Sequence, residues 1–422
     1  MSQFPISKEL TMNDFSELIN LIESNPSNWQ SILKNEPYSL RSIKQSAQNP
    51  NWYILMYNLF ERNSLKYKEV LASRGTVVEV KDGKAKIVCA PFYKFFNFKE
   101  GLEEKIDFSN PKCFCSRKAD GWIVKMAKVD GKLYWFTQSM DLIEENSVEV
   151  EALKINGLSF KNIYEVWKYA WERENHDFVE ALPDGCTLIF ELESAWNKIH
   201  TESQIEPKLW FIGFRGPDLM EKNIYDAKKE FNIPFETPEI YPLNSWEEIE
   251  AELSKWKGTE KEGVVVCEPT ESGHFKRVKI KCEDYLRIKM IANAGEIVPT
   301  TRNIFNLVMK GEYDDFLSNE KLGPLILNMS SRIEAVKSKL FGIYSEMMKN
   351  IDMSKGKDLA KIDCVNWIKK NYGNINNSVI FSAFNYSSFE DAWNDLMDNW
   401  RYATRIAWKK FISYEESLNL AK

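Results

Sequence analysis

The sharpest chemical feature of the 422-residue sequence is Lys118-Ala119-Asp120-Gly121. Cys113 to Arg117 precedes it and Trp122 opens another apolar run, so the four residues stand between two expected strands. A lysine held there can act as a nucleophile only after shedding its proton. With an ordinary pKa of ~10.4, roughly one copy in 2,500 is neutral at pH 7, so a working site must depress that value. A K-x-D-G match alone arises in roughly one chain in ten of this length, and its plain alternative is a surface turn. Further along stand Phe190-Glu191-Leu192-Glu193, then Glu262-Gly263-Val264-Val265-Val266, then Val278-Lys279-Ile280-Lys281. Each sets carboxylates or cations on an apolar, strand-like run.

The elements that must position these residues follow from periodicity. Residues 11 to about 62 read as short helices, with Phe15, Leu18, Ile19 and Ile22 at helical spacing and similar stretches through Ile54 and Phe60. From Ser73 the period falls to two. Thr76 to Val80, a Lys81-Asp82-Gly83 turn and Ala85 to Val88 predict a hairpin, and Trp122 to Lys128, Val129-Asp130-Gly131 and Leu133 to Phe136 predict a second. A helix is expected over 161–182, with Ile163, Val166, Trp167, Ala170 and Trp171 on one face. Strands are expected over Thr187–Leu192, Leu209–Phe214, Gly263–Cys267 and Arg277–Lys281, with helices near 221–231 and 246–256. After about Ile291 strand signals stop, and helices are expected near 302–319, 327–349, 358–371 and 387–421. The fold class is therefore α+β, in three parts: a helical N-terminal region over 1–70, a mixed domain over 71–291 and an all-helical C-terminal domain over 292–422.

In order and spacing, the Lys118, Phe190-Glu191, Leu209–Gly216, Glu262-Gly263 and Lys279/Lys281 segments resemble motifs I, III, IIIa, IV and V of the covalent nucleotidyltransferases, the ligases and messenger-RNA capping enzymes. Upstream, Arg74-Gly75 and Pro91-Phe92-Tyr93-Lys94-Phe95-Phe96-Asn97 narrow the match. They resemble the R-G and K-F-F-N signatures of bacteriophage-type ATP-dependent RNA ligases, the RNA ligase 1 family. Asn197-Lys198-Ile199 after Phe190-Glu191 and Gly311-Glu312-Tyr313-Asp314-Asp315 agree with it. The resemblance covers about 70 to 320 well and the rest loosely.

The resemblance implies an ATP-grasp-like nucleotidyltransferase domain of antiparallel sheets and helices. It implies that Lys118 takes AMP from ATP and passes it to an RNA 5′-phosphate, which a 3′-OH then attacks. Arg74 and Lys94 would hold the triphosphate, Lys279 and Lys281 the α-phosphate, and Glu262 would assist metal binding and keep the lysine in place. Glu191 would reach the nucleotide and metal zone, and Asp120 and Gly121 would complete the nucleotide site. Mg²⁺ or Mn²⁺ is the expected ion, with Asp120, Glu191, Glu262, Asp314 and Asp315 as candidate ligands, some acting through water. The last two could equally be solvated residues at a helix start. Phe95 and Phe96 are either adenine-pocket walls or core. Arg117 either lowers the lysine's pKa or points to the opposite face. The family often carries a basic residue where this chain has Thr137-Gln138-Ser139, which leaves open whether Gln138 or another lysine takes that place.

Composition bounds the partners. With 56 Lys plus Arg against 62 Asp plus Glu, the net charge of -6 excludes bulk coating of nucleic acid. Yet 112–128 holds five basic residues against one acidic, and 274–289 six against two, so the motif-bearing segments are locally cationic. Seven cysteines without a CxxC pair and three histidines argue against structural zinc and for free thiols. The expectations are a cytoplasmic monomer, in host cytoplasm if viral, with no membrane contact, acting on RNA ends. A transfer RNA nicked in its anticodon loop is the substrate that analogy suggests. Trp393, Trp400, Arg401, Arg405, Trp408, Lys409 and Lys410 either grip RNA or fill a helical core. The competing readings are a DNA ligase, a GTP-dependent capping enzyme, or an inactive RNA-binding scaffold.

Overall fold

The computed structural model describes residues 13–58, 61–150, 153–197, 206–294, 300–311, 313–317, 319, 322–352, 354, 357–373, 375–383, 386, 388–402 and 404–418. The chain divides into two compact units, Met1–Lys289 and Met290–Lys422.

In the first unit, β1 (Ser42–Gln45), β2 (Trp52–Met56), β3 (Arg74–Lys81) and β4 (Lys84–Cys89) form one antiparallel sheet in that order. Residues 42–45 and 52–56, within the stretch expected as helix, are thus strand. Trp52-Tyr53-Ile54-Leu55-Met56 is a short apolar run behind an Asn49-Pro50-Asn51 turn, and a run of that length does not distinguish helix from strand by periodicity. Helices Asn13–Ser24 and Trp29–Lys34 do form, and Phe15, Leu18, Ile22, Trp29 and Leu33 pack on one face of this sheet. Its other face meets Ala127 and Phe136.

Among the described residues ten more strands follow: β5 (Phe96–Asn97), β6 (Phe114–Lys118), β7 (Trp122–Val129), β8 (Lys132–Thr137), β9 (Thr187–Glu193), β10 (Lys208–Arg215), β11 (Glu221–Lys222), β12 (Ile240–Tyr241), β13 (Gly263–Pro269) and β14 (Phe275–Lys281). They make two five-stranded sheets, ordered β11-β10-β9-β7-β8 and β12-β6-β13-β14-β5. Every pairing is antiparallel except β14 with β5. The two hairpin turns hold Asp82 and Gly83, then Asp130 and Gly131, at positive φ, the conformation that matches strand twist.

The expected helix over 161–182 is two shorter ones, Ile163–Trp171 and Phe178–Ala181. Asn162 starts the first by accepting from the Glu165 amide at 2.9 Å, while Glu165 accepts from the Lys161 amide. Its Val166, Trp167 and Trp171 bury against Trp135, Phe190 and Phe211 of the adjoining sheet and against Phe235 of the loop before β12.

In the second unit the described residues form helices and no strand, as expected. Leu322–Asn350 runs 29 residues and buries Ile326, Met329, Ile333, Val336, Leu340, Ile343 and Met347. Trp393 and Trp400 are buried there, and Phe305 packs against Trp400, Trp408 and Phe411. These tryptophans therefore fill the helical core. Lys409 and Lys410 are exposed, and the side chains of Arg401 and Arg405 lie outside the described residues.

Candidate active site

Lys118 ends β6, and the next three residues cross from one five-stranded sheet to the other. The crossing is tight at both ends. A β-carbon on Gly121 would strike the Leu192 carbonyl of β9. On β13, Gly263 stands opposite Lys118 of β6 and opposite Lys281 of β14, and a β-carbon there would strike the Ile280 carbonyl. Glycine at 263 lets three strand ends close in, which delivers Glu262 between two ammonium groups. Lys118 Nζ lies 2.6 Å from Glu262 Oε2, and Lys281 Nζ 2.5 Å from Glu262 Oε1. Burial would push the Glu262 carboxyl up, but the two lysines outweigh it and hold its pKa below the usual value.

Glu191 comes from the middle of β9, beside Ile123 of β7 and Trp210 of β10. Burial is the main force that raises its carboxyl to about 7, with Glu262 and Asp120 adding to the rise and Lys118 and Arg74 opposing it. Asp120 is buried and accepts from the Tyr285 hydroxyl at 3.1 Å. Arg74 opens β3, its guanidinium carbon 5.2 Å from the Phe95 ring centre. The site thus gathers Lys118, Lys281, Arg74, Glu262, Glu191 and Asp120 from both five-stranded sheets, the crossing between them and the neighbouring β3.

Other expected residues are placed as follows. Lys279 precedes Lys281 by two on β14 and so shares its face, pairing with Val265 and Asn97. Lys94 is buried with its ammonium 5.8 Å from the Tyr57 ring and 5.4 Å from the Phe96 ring. Phe95 lies under Arg74, whereas Phe96 belongs to the core of the N-terminal helices, so the two phenylalanines divide the roles. Arg117 donates to Glu193 Oε1 at 2.7 Å and lies 5.0 Å from the Trp210 ring centre. Its charge is therefore committed to Glu193, a fully buried carboxylate that the sequence had presented only as part of a strand. Gln138 meets Gly75 with its backbone carbonyl. His274 pairs with Glu104 at 3.1 Å in a buried network.

Asp314 and Asp315 sit on a single 3-10 turn, Asp314–Phe316, of the second unit, and Asp315 is buried rather than solvated. Glu312, Lys198 and Ile199 lie outside the described residues, as do the side chains of Asn197 and Asp314.

The donor set fits a polyphosphate. Arg74 Nη1 is buried without a hydrogen-bond partner among the described residues, and the neighbouring lysines and carboxylates converge on the same zone. No group of three or more His, Cys, Asp or Glu side chains among the described residues stands ready to hold a metal. A divalent cation would fit at Glu191 and Asp120 only with phosphate oxygens and water completing its shell.

Residues 72–285 match the model of an RNA ligase family. The chain belongs to this RNA ligase family. Over 279 residues, 63% of the chain, it is 28% identical to a protein of Autographa californica nuclear polyhedrosis virus named as a bifunctional polynucleotide kinase/RNA ligase. The chain spans 37% of the length of that relative. Among solved structures it is similar to an archaeal ATP-dependent RNA ligase, with 12% identity, a TM-score of 0.43, and 78% of this chain and 83% of that one covered. A Naegleria gruberi RNA ligase variant solved with ATP and Mn gives 13% identity, a TM-score of 0.32, and 44% and 57% coverage. In this member of the RNA ligase family, Arg74, Lys94, Lys118, Glu191, Glu262, Lys279 and Lys281 all fall inside the matched span, and Asp314 and Asp315 fall outside it.

Proposed function

We propose that the protein is an ATP-dependent RNA ligase that joins RNA 3′-OH and 5′-phosphate ends. The observation that carries this reading is Glu262 bridging Lys118 and Lys281, which sets a nucleophile, its carboxylate anchor and an α-phosphate cation within one buried cluster. Phosphoryl transfer depends mainly on positioning and on neutralising developing charge.

In the first step the unprotonated Lys118 amine attacks the α-phosphorus of ATP. The N–P bond forms as the bond to the β-phosphate oxygen breaks, pyrophosphate leaves, and the amine's second proton passes to solvent. Lys281 and Lys279 take up charge on the α-phosphate oxygens, and Arg74 and Lys94 hold the departing pyrophosphate. In the second step the RNA 5′-phosphate oxygen displaces Lys118 from phosphorus, giving an AMP-capped end. In the third the 3′-OH oxygen attacks the RNA 5′-phosphorus, the bond from that phosphorus to the AMP phosphate oxygen breaks, the hydroxyl proton passes to solvent, and AMP departs. Mg²⁺ or Mn²⁺, held at Glu191 and Asp120 together with the phosphates, would supply further charge neutralisation. The protein works as a monomer on RNA ends, with a nicked transfer RNA as the first substrate to try.

Exposure to α-labelled ATP or GTP, followed by joining assays on 5′-phosphorylated RNA, DNA and nicked transfer RNA, tests the reading. Covalent label from ATP alone, absent in Lys118→Ala, with RNA joined, is the expected result. Label from GTP, or sealing of nicked duplex DNA only, would overturn it.

A further inference from the structure

Lys125 has no part in the roles above. It lies on β7 between Phe136 of β8 and Ile189 of β9, and it is 0% exposed. Its ammonium donates to the Gly75 carbonyl, the one hydrogen-bond acceptor it meets among the described residues. Three charged or titratable groups face it: Arg74 of β3, the Cys89 thiol of β4 and Asp141 beyond β8. None is a dedicated counter-ion. Asp141 accepts from Ser46 Oγ at 2.6 Å, from the Ala47 amide at 2.8 Å and from Gln48 Nε2 at 2.9 Å. Burial raises the pKa of the Cys89 thiol, which keeps it neutral.

A buried cation costs several kcal/mol unless it is well paired, and a second cation beside it adds to the cost. A methionine could fill this space without either penalty. Folding alone therefore does not account for Lys125.

The bulge in β3 that it touches does. Gly75 has φ +86, and a β-carbon there would strike the Gln138 carbonyl and come within 2.8 Å of Lys125 Nζ. The bulge is thus gripped from two sides, and Arg74, whose Nη1 is buried without a hydrogen-bond partner among the described residues, is the residue it carries. Gln138 reaches this place through its backbone, and the ammonium there belongs to Lys125.

We infer that Lys125 is a positioning residue for nucleotide binding: through the Gly75 carbonyl it fixes the Arg74 guanidinium beside Glu191, and it adds positive charge behind that guanidinium. It raises the site's affinity for a triphosphate without touching it. This rests on the ligase reading above. Because burial lowers the lysine's pKa to about 8, with Arg74 helping and Cys89 and Asp141 opposing, the charge is partly titrated in the mildly alkaline range.

Covalent labelling of the wild-type chain by α-labelled ATP comes first, since no label at all would dispose of the ligase reading before Lys125 is in question. Given label, ATP dependence is compared in Lys125→Met and Lys125→Arg. Lys125→Met should raise the KM for ATP about tenfold while the rate at saturating ATP stays within about threefold, and Lys125→Arg should restore most of the affinity. An unchanged KM in Lys125→Met, or a KM and saturating rate that fail together with a lowered melting temperature, overturns the inference. The pH profile decides the matter even if Lys125→Met does not fold. Wild-type KM should rise between about pH 7 and about pH 9.5, and Lys125→Arg, whose guanidinium stays charged, should remain flat. Superimposable profiles overturn the inference.

Discussion

Lys118 Nζ lies 2.6 Å from Glu262 Oε2, so the proposed nucleophile rests on a buried carboxylate whose other oxygen is held by Lys281. Removing the carboxylate takes from two close ammonium groups the counter-ion they share. Glu262→Ala should lose about 3–5 kcal/mol of stability, as broken buried ion pairs do. Lysyl-AMP formation should fall by about 10²-fold or more, because the amine is no longer aimed. Denaturant unfolding and labelling with α-labelled ATP measure the two effects. Wild-type labelling in a destabilised Glu262→Ala would mean that Glu262 is a strut only.

Glu191 makes the stability of the folded chain depend on pH. Its carboxyl, ordinarily near 4.5, is raised to about 7 chiefly by burial. Between those values the folded state holds a proton the unfolded state has released, so the ligand-free protein loses stability as pH rises through this window and stays lower above it. At pH ~8 the loss is on the order of 3 kcal/mol. Glu191→Gln should therefore melt higher than wild type at pH ~8 and equally at pH ~4.5, while labelling with ATP collapses. A variant that melts lower at pH ~8 would contradict the assignment. In the wild type, metal-dependent labelling should fall as pH drops through about 7, where the carboxylate takes up its proton.

Gly263 is the hinge of the cluster. A β-carbon there would press on the Ile280 carbonyl and separate β13 from β14, carrying Glu262 away from Lys281. Gly263→Ala should cost about 1–3 kcal/mol, as overpacking does, and lower labelling more than tenfold at saturating ATP. Gly83→Ala is the control. Nothing lies near a β-carbon at that turn, so any loss there reflects its positive φ alone and labelling should be unaffected.

The frame of the candidate site was legible because its residues interrupt runs whose period is plain. Lys118, Glu191, Glu262 and Lys281 each sit on or at the end of a strand that alternation predicts, and strand pairing then brings their ends together. The groups that were not legible are buried ions. Glu221 and Arg277 carry no local mark of their pairing, since they stand on strands of different sheets, and the short-range Arg215–Glu221 pair gives no sign in the sequence that it is buried. Lys125 was hidden in the same way, a lysine on a hairpin strand that the neighbouring sheet covers. The helical expectation at 42–56 failed for a different reason, because β2 gains its identity from pairing with β3 rather than from its own five residues.

The buried ions also make a prediction about Lys94. Glu221 accepts from Arg215 Nη2 at 2.7 Å and pairs with Arg277, and His274 stands 3.7 Å away. Arg215 Nε donates to the Pro91 carbonyl at 3.2 Å, Arg277 lies 4.0 Å from the Phe92 ring centre, and Tyr93 sits between Arg215 and His274. The network therefore grips the three residues before Lys94. Although burial pushes the Glu221 carboxyl up, Arg215 and Arg277 outweigh it and hold its pKa well below the usual range. Its contribution to stability is present above about pH 4.5 and is lost as pH falls through the folded value. Burial lowers the His274 pKa, but the hydrogen bond to Glu104 and the nearby Glu221 carboxylate outweigh it and raise the net value. That contribution is complete below about pH 6.5 and is lost as pH rises through the folded value. Glu221→Gln should cost about 3–5 kcal/mol and raise the KM for ATP, since the two arginines repel and release the Lys94 segment. His274→Asn should remove the decline in stability that begins near pH ~6.5 and leave the acid limb in place. Urea unfolding at a series of pH values reads both, and an alkaline slope unchanged in His274→Asn would take the histidine out of the network.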